Sequence, residues 1–245
     1  MRPPLRPTRA LRPKRSKRFR ALLSAAALAA ALAAGPAQAC RLALSLALDV
    51  SSSVDADEYA LQTEGLAAAL EDPEVMEAIL MPGGPVAMAV FEWSGRDQQS
   101  LVSDWRVLQS PADVSALASA VRQARRSHSE YPTALGHALA YAARLFRSAP
   151  PCAKRTVDVS GDGANNDGYE PFHAYRAFDF DGVTVNALVV GGPRRPALVR
   201  YFETLVIRGD EAFTEVADGY ADFGRAMQRK LLREIRPPMI VGAAE

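Results

Sequence analysis

Uninterrupted apolar runs of strand length constrain the fold of this 245-residue chain more than any other feature. The first run, residues 41–49, reads RLALSLALD, and similar runs occupy 86–93 and 183–190. A strand with one face in water alternates apolar and polar residues, whereas a nearly continuous run is typical of a strand covered on both faces. The runs therefore predict the buried strands of a parallel sheet.

Segments with helical periodicity separate these strands. Asp55 and Glu58 form a capping pair at the start of one helix, and apolar residues between 135 and 146 recur on one helical face. This alternation predicts an α/β fold, a doubly wound, mainly parallel central sheet with helices on both faces. The predicted strands are 41–49, 86–93, 101–105, 156–160, 183–190 and 212–217, and the predicted helices begin at Asp55 and cover 111–126, 135–146, 171–178, 197–204 and 220–235.

The N-terminal segment has the three parts of a secretory signal. Residues 1–20 contain nine Lys or Arg and no acid, 21–34 are apolar, and Ala37-Gln38-Ala39 provides small residues for cleavage. The apolar part is shorter than the roughly 20 residues that a membrane span needs. We therefore expect a signal peptide at 1–39, a single domain at 40–245 with no membrane span, and a periplasmic or secreted protein. A twin-arginine route and a lipid-modified Cys40 remain open.

Removal of the signal leaves an acidic domain. Nine of the 29 basic residues precede Cys40, so 20 basic residues remain against 28 acidic ones. An acidic chain without a basic run offers no binding surface for nucleic acid, and its electrostatic field attracts cations. The two cysteines, Cys40 and Cys152, belong to a chain expected where disulfides persist.

Hard oxygen donors follow the first strand. Asp49, Ser51 and Ser53 alternate in the sequence DVSSS, and two later loops could add Thr133 and Asp162. Hydroxyl and carboxylate oxygens suit Mg²⁺, Mn²⁺ or Ca²⁺. In the alternative interpretation, these side chains only satisfy backbone groups of a turn and a helix start.

The pattern resembles the metal-ion-dependent adhesion site (MIDAS) of von Willebrand factor type A (VWA) domains, written Asp-x-Ser-x-Ser with a later Thr and Asp. The resemblance extends over essentially the whole chain after the signal. It implies a Rossmann-like fold in which Ser51 and Ser53 bind the metal directly, Asp49 and Asp162 act largely through water, and Thr133 acts in either way. The runs FEWSG, YPTALGHAL and DVSGDGANNDG are similar to a bacterial branch of unknown function. Departures from the family are Pro132 before Thr133 and Gly161 before Asp162.

The resemblance has further implications for pairing and partners. In the family's sheet order the strands leading to Asp49 and Asp162 are neighbours, which implies a Cys40–Cys152 disulfide. A site of this type binds an exposed Asp or Glu of a protein or peptide partner. Asn165 and Asn166 lie near Asp162 and could border the ligand surface, although a turn-rich loop explains them equally well.

Two functions compete at this stage. The first is a non-catalytic, metal-dependent binding domain, and the alternative is a metal-dependent hydrolase that uses the same cation to activate water. The sequence lacks a recognisable Ser/His/Asp grouping and a phosphate-binding glycine loop, and Ser51 stands where a second carboxylate would be needed. We therefore expect binding. A structural export protein with an unused site is a third and weaker option. Asp158, inside a strand, should have a polar partner such as Ser45 or a backbone amide.

Overall fold

The structure, a computed structural model, describes residues 40–236, and a six-stranded sheet lies at the centre of this part of the chain. The predicted signal peptide at 1–39 lies outside the described residues. The strand order is β3-β2-β1-β4-β5-β6, and only β3 runs antiparallel to its neighbour. The strands are β1 (Cys40–Asp49), β2 (Val86–Trp93), β3 (Gln99–Leu108), β4 (Cys152–Gly161), β5 (Val183–Val190) and β6 (Thr214–Ala217).

Helices lie between consecutive strands along the chain, except between β2 and β3, which a short loop joins. They are α1 (Ala56–Glu71), α2 (Pro73–Leu80), α3 (Pro111–Arg122), α4 (Leu135–Leu145), α5 (Pro171–Ala177), α6 (Pro196–Tyr201) and α7 (Phe223–Ile235). The predicted cap of α1 is confirmed, because Asp55 Oδ1 accepts a hydrogen bond from the Glu58 N–H at 2.8 Å, and Glu58 Oε2 accepts one from the Asp55 N–H at 2.9 Å. No helix within residues 40–236 is long and apolar enough to cross a bilayer.

The sheet is buried on both faces, as the apolar runs predict. Leu44 and its even-numbered neighbours in β1 pack with α1, α3 and α7, whereas Ala43 and Ala47 pack with α4 on the other face. Each face therefore has its own apolar cluster, and the predicted α/β fold with a mainly parallel sheet is confirmed.

Several predicted boundaries differ from the structure. Helix α2 was not predicted, because eight residues that begin with proline give little periodicity. Helix α3 ends at Arg122 rather than 126, and β4 begins at Cys152 rather than 156. The first residues of β4 are partly exposed and polar, so they do not read as part of a buried strand.

The predicted disulfide is confirmed. Cys40 and Cys152 are bonded and are direct register partners at the amino-terminal ends of β1 and β4. Asp158, by contrast, pairs with a residue that the sequence reasoning did not consider: Lys230 Nζ of α7 lies 2.9 Å from Asp158 Oδ1. The hydroxyl of Ser45 has no hydrogen-bond partner within residues 40–236.

Candidate functional site

Three loops meet at the carboxyl ends of the central strands. The first loop (50–55) follows β1, the second loop (123–134) precedes α4, and the third loop (162–170) follows β4. The chain leaves β1 for β2 on one side, whereas β4 lies on the other side. Such a reversal of strand order opens a crevice at the sheet edge, which is where α/β folds bind ligands.

The first loop turns two serine hydroxyls toward each other. Asp49 is fully buried, and its Oδ1 accepts a hydrogen bond from the Ser51 N–H at 2.8 Å. Ser51 Oγ lies 3.2 Å from Ser53 Oγ. Ser51 is buried and Ser53 is exposed, so this row of oxygen atoms runs from the interior to the surface.

The third loop joins the same row. Ser53 Oγ donates a hydrogen bond to Asp162 Oδ1 at 2.7 Å, across 109 residues of sequence. The guanidinium of Arg195 donates to the main-chain oxygen of Asp162 from the outside. Asp49, Ser51, Ser53 and Asp162 therefore form one hydrogen-bonded row, in which Asp49 is joined through the main-chain N–H of Ser51 and the other three through their side chains.

The second loop brings Thr133 beside the third loop. Thr133 is buried, and a Cβ atom added to Gly163 would lie 3.5 Å from Thr133 Oγ1. Its main chain pairs with Asn166, because the Thr133 N–H donates to Asn166 Oδ1 at 2.8 Å and the Asn166 N–H donates to the Thr133 oxygen at 2.9 Å. Within residues 40–236, no hydrogen bond links the Thr133 hydroxyl to the other four candidate ligands.

The two asparagines of the third loop form contacts inside the protein. Asn166 holds the Thr133 main chain, and Asn165 Oδ1 accepts a hydrogen bond from the Gly136 N–H at 3.3 Å. The latter contact caps α4, whose N-cap residue Ala134 has no side-chain acceptor of its own. Asn166 thus ties the second loop to the third, and Asn165 ties the third loop to the start of α4. A ligand-facing role for both residues stays a prediction.

Sequence reasoning missed a second pair of residues that fixes the loops. Arg126 Nη2 donates to the main-chain oxygens of Val50 at 3.1 Å and Ser51 at 2.9 Å. The buried carboxylate of Glu92 in β2 accepts a hydrogen bond from the Ser127 N–H at 2.8 Å. The first and second loops are therefore fastened to each other and to the sheet. A carboxylate within the apolar run VAMAVFEW was the available signal.

The electrostatics of the site are dominated by Asp49. Burial, together with the charge of Asp162, raises the pKa of Asp49 to about 7, although hydrogen bonds from Ser51 and from the main chain of Asp162 act in the opposite direction. No Lys, Arg or His of residues 40–236 forms an ion pair with this carboxylate. The site thus holds two like charges and several neutral hydroxyls.

This donor set suits a hard divalent cation. Carboxylate and hydroxyl oxygens are the ligands that Mg²⁺ and Ca²⁺ prefer, and a cation would offset the charges of Asp49 and Asp162. Within residues 40–236, no group of three or more His, Cys, Asp or Glu side chains is placed to hold a metal. The candidate set has only two carboxylates, and its remaining members are hydroxyls.

Comparison with known proteins identifies both a family and a fold. The profile of a family described as protein of unknown function (DUF1194) matches residues 39–239. No curated protein sequence matches the chain.

Many solved structures are similar, and three of them are described below. Proximal thread matrix protein 1 from the mussel byssus, solved with a zinc-occupied MIDAS motif, has 19% identity and a TM-score of 0.56 over 80% of this chain and 46% of that chain. A von Willebrand factor type A structure from Catenulispora acidiphila has 16% identity and a TM-score of 0.52 over 80% and 43%. The PilB minor pilin from Streptococcus sanguinis has 11% identity and a TM-score of 0.58 over 84% and 64%.

At these identities the likeness shows the fold alone. The chain spans less than half of the first two structures and under two thirds of the third. The VWA-like α/β fold expected from the sequence is confirmed. The chain belongs to the DUF1194 family of proteins of unknown function, and its domain is VWA-like.

Proposed function

We propose that this domain binds a divalent cation through Asp49, Ser51, Ser53, Thr133 and Asp162, and that it thereby binds a protein or peptide partner with an exposed Asp or Glu. The observation that carries the proposal is the connected row from Asp49 to Asp162, which unites hard oxygen donors from two separate loops. A similar fold with a zinc-occupied MIDAS motif adds support. Mg²⁺ is our first choice of ion, followed by Mn²⁺ and Ca²⁺.

The roles of the side chains follow from their burial and charge. The hydroxyls of Ser51 and Ser53 are neutral and therefore leave most of the cation's charge unquenched. The carboxylates of Asp49 and Asp162 flank them and offset part of that charge. A bound hard cation would supply a positive centre with room for one more oxygen ligand. Ser53 is the exposed member of the row, so the partner's carboxylate approaches from its side.

Export is part of the proposal. The basic and apolar segment at 1–39 and the Cys40–Cys152 disulfide fit a periplasmic or secreted protein with a mature domain at 40–245. The match to the family begins at residue 39, next to the proposed cleavage site. One structural neighbour is a matrix protein of the mussel byssus and another is a minor pilin, which agrees with a non-catalytic binding role.

Thermal melting tests the metal site. The exported protein is melted in chelator and then with Mg²⁺, Mn²⁺ or Ca²⁺, beside a Ser51→Ala/Ser53→Ala variant. A cation that binds only the folded state stabilises it by about 2.7 kcal/mol at 100 times its Kd. We expect this gain in wild type and its loss in the double variant. Ser52→Ala is the matched control, because only the backbone N–H of Ser52 contacts the second loop. If none of the three ions raises the melting temperature of the wild-type protein, the proposal is contradicted.

Peptide binding tests the partner. Peptides are arrayed in pairs, each with a central Asp or Glu and its Asn or Gln counterpart, and probed with Mg²⁺ or chelator. We expect Mg²⁺-dependent retention on the acidic members only. Turnover of phosphate or ester substrates that requires Mg²⁺ or Mn²⁺ and is abolished by Asp49→Ala would instead favour the hydrolase.

A further inference from the structure

Of the buried polar atoms that have no hydrogen-bond partner within residues 40–236, two lie at the adjoining carboxyl ends of β1 and β2. One is Asp49 Oδ2, which can only accept a hydrogen bond when the carboxyl is ionised, and the other is Trp93 Nε1, which can only donate one. Both side chains are fully buried. Native proteins rarely leave such groups unpaired, so each requires a partner of the opposite kind.

The fold places these two atoms on the same side of the sheet. Asp49 and Trp93 are register partners at the ends of the parallel strands β1 and β2. A Cβ atom added to Gly161 of β4 would lie 3.2 Å from Asp49 Oδ2 and 3.5 Å from Trp93 Cζ2, which is on the same edge of the indole as Nε1. The carboxylate oxygen and the donor edge of the indole therefore flank one point.

We propose that the Trp93 indole N–H holds the inner oxygen of Asp49 through one buried water, and so orients this carboxylate in the proposed metal site. The inference rests on the function proposed above and makes Trp93 a positioning residue. Asp49 Oδ1 is already held by the Ser51 N–H. With Oδ2 held by Trp93, the carboxylate is fixed at both oxygens. It therefore does not rotate into a bidentate contact with the cation.

This arrangement also explains Gly161, the residue before Asp162 that departs from the family pattern. A side chain at this position would approach Asp49 Oδ2 to 3.2 Å, closer than an ordinary van der Waals contact. The phenyl ring of Phe202 closes the same space, because its Cζ lies 3.5 Å from the added Cβ position. Glycine at 161 therefore leaves the room in which the carboxylate and the indole meet.

The indole N–H signals in nuclear magnetic resonance test the contact in the intact exported protein. The chain has two tryptophans, and Trp105 is an internal control because its Nε1–H donates to the Leu145 oxygen at 3.0 Å. We expect Asp49→Ala, which removes the acceptor, to shift the Trp93 signal in chelator and to speed its hydrogen exchange, while the Trp105 signal stays in place. An unmoved Trp93 signal overturns the inference, and this arm contains no metal.

A pair of Trp→Phe variants tests the consequence for the metal. We expect Trp93→Phe to weaken Mg²⁺ binding about tenfold or more, the usual effect of removing a group that orients a ligand. Trp105→Phe should leave the Mg²⁺ affinity unchanged. Melting in chelator reports separately whether each variant is folded.

If the wild-type protein binds Mg²⁺ and a folded Trp93→Phe variant binds it with equal affinity, only the positioning role of Trp93 is refuted. If the wild-type protein does not bind Mg²⁺, the proposed function is refuted instead. If Trp93→Phe does not fold, Gly161→Ala, which places a methyl group between the carboxylate and the indole, must shift the Trp93 signal and weaken Mg²⁺ binding. A folded Gly161→Ala that does neither also overturns the inference.

Discussion

Asp49 and Asp158 lie on the neighbouring strands β1 and β4, and both are buried, yet the protein treats their charges differently. Burial is the largest cause that raises the pKa of each carboxyl. Lys230 Nζ lies 2.9 Å from Asp158 Oδ1 and 2.6 Å from Glu234 Oε1, so a lysine of α7 compensates that pair. Asp49 has no such lysine, and Asp162 adds a second negative charge beside it.

The difference teaches where each cation comes from. Asp158 is in the middle of its strand, under α7, where only the chain itself can supply a positive charge. Asp49 is at the end of its strand, beside hydroxyls that lead to the surface. A buried charge is tolerated when it is paired or coordinates a metal. The Asp158 cluster is complete within the fold, whereas in our proposal a cation from outside completes the Asp49 site.

The largest expected effect comes from removing the internal cation. Lys230→Met leaves Asp158 and Glu234 buried without a counter-charge, and we expect the free energy of unfolding to fall by about 3–5 kcal/mol. Urea denaturation at neutral pH measures it. The neighbouring Arg229→Met removes a surface pair with Glu215 and should cost less than about 1 kcal/mol. Equal losses for the two variants would contradict the comparison.

The next effect comes from adding the external cation. Saturating Mg²⁺ should raise the free energy of unfolding by about 2.7 kcal/mol at 100 times its Kd in wild type, and by nothing in Asp49→Asn. Asp158→Asn should keep the whole gain, because Asp158 lies away from the three loops. Denaturation with and without chelator measures all three proteins. A gain that depends on Asp158 would mean that the two carboxylates are not separate.

A smaller effect concerns pH in chelator. The folded-state pKa of Asp49 is raised to about 7 from 3.8, so between these values the folded state binds more protons than the unfolded state. Its favourable contribution is complete below the unfolded pKa and is lost as pH rises toward the folded pKa. Between pH 5 and pH 7 we expect wild type to lose about 2 kcal/mol more than Asp49→Asn. The contribution of Asp158 is present in both proteins and cancels. Parallel pH profiles would refute the raised pKa of Asp49.

The smallest effect is that of Asp158→Asn on stability. Lys230 keeps Glu234, whose Oε1 also accepts a hydrogen bond from Asn186 Nδ2 at 2.7 Å. One lysine then faces one carboxylate, and we expect a change below about 1.5 kcal/mol in urea denaturation. A loss as large as that of Lys230→Met would show that Asp158, and not Glu234, is the main counter-charge of Lys230.

The same two regions show how far the sequence predicts the structure. Strand β1 and the Asp49, Ser51 and Ser53 motif are local patterns, so their place at a strand end followed from periodicity. The partner of Asp158 did not, because Lys230 lies in FGRAMQRKLLREI, where a lysine among charged residues reads as part of a solvent-exposed face. Only the packing of α7 on the sheet reveals that this side chain is fully buried.

The residues that support the candidate site were not predicted for a related reason. Arg126 was predicted to end a helix, but α3 ends at Arg122. Arg126 therefore belongs to the second loop, from which its side chain reaches the first loop. Trp93 ends the run 86–93, for which the sequence predicts only a buried strand, because its pairing with Asp49 depends on the register between two strands. Contacts between residues distant in sequence leave no local pattern, whereas the ligands themselves do.

The disulfide between Cys40 and Cys152 constrains the order in which the protein can complete its folding. The two cysteines are 112 residues apart in the sequence, so the disulfide between β1 and β4 cannot form until the ribosome has synthesised β4. A reducing cytosol keeps these thiols apart, and the newly made chain there lacks the tie between its two central strands. Under the export that we propose, this disulfide therefore closes on the oxidising side of the membrane.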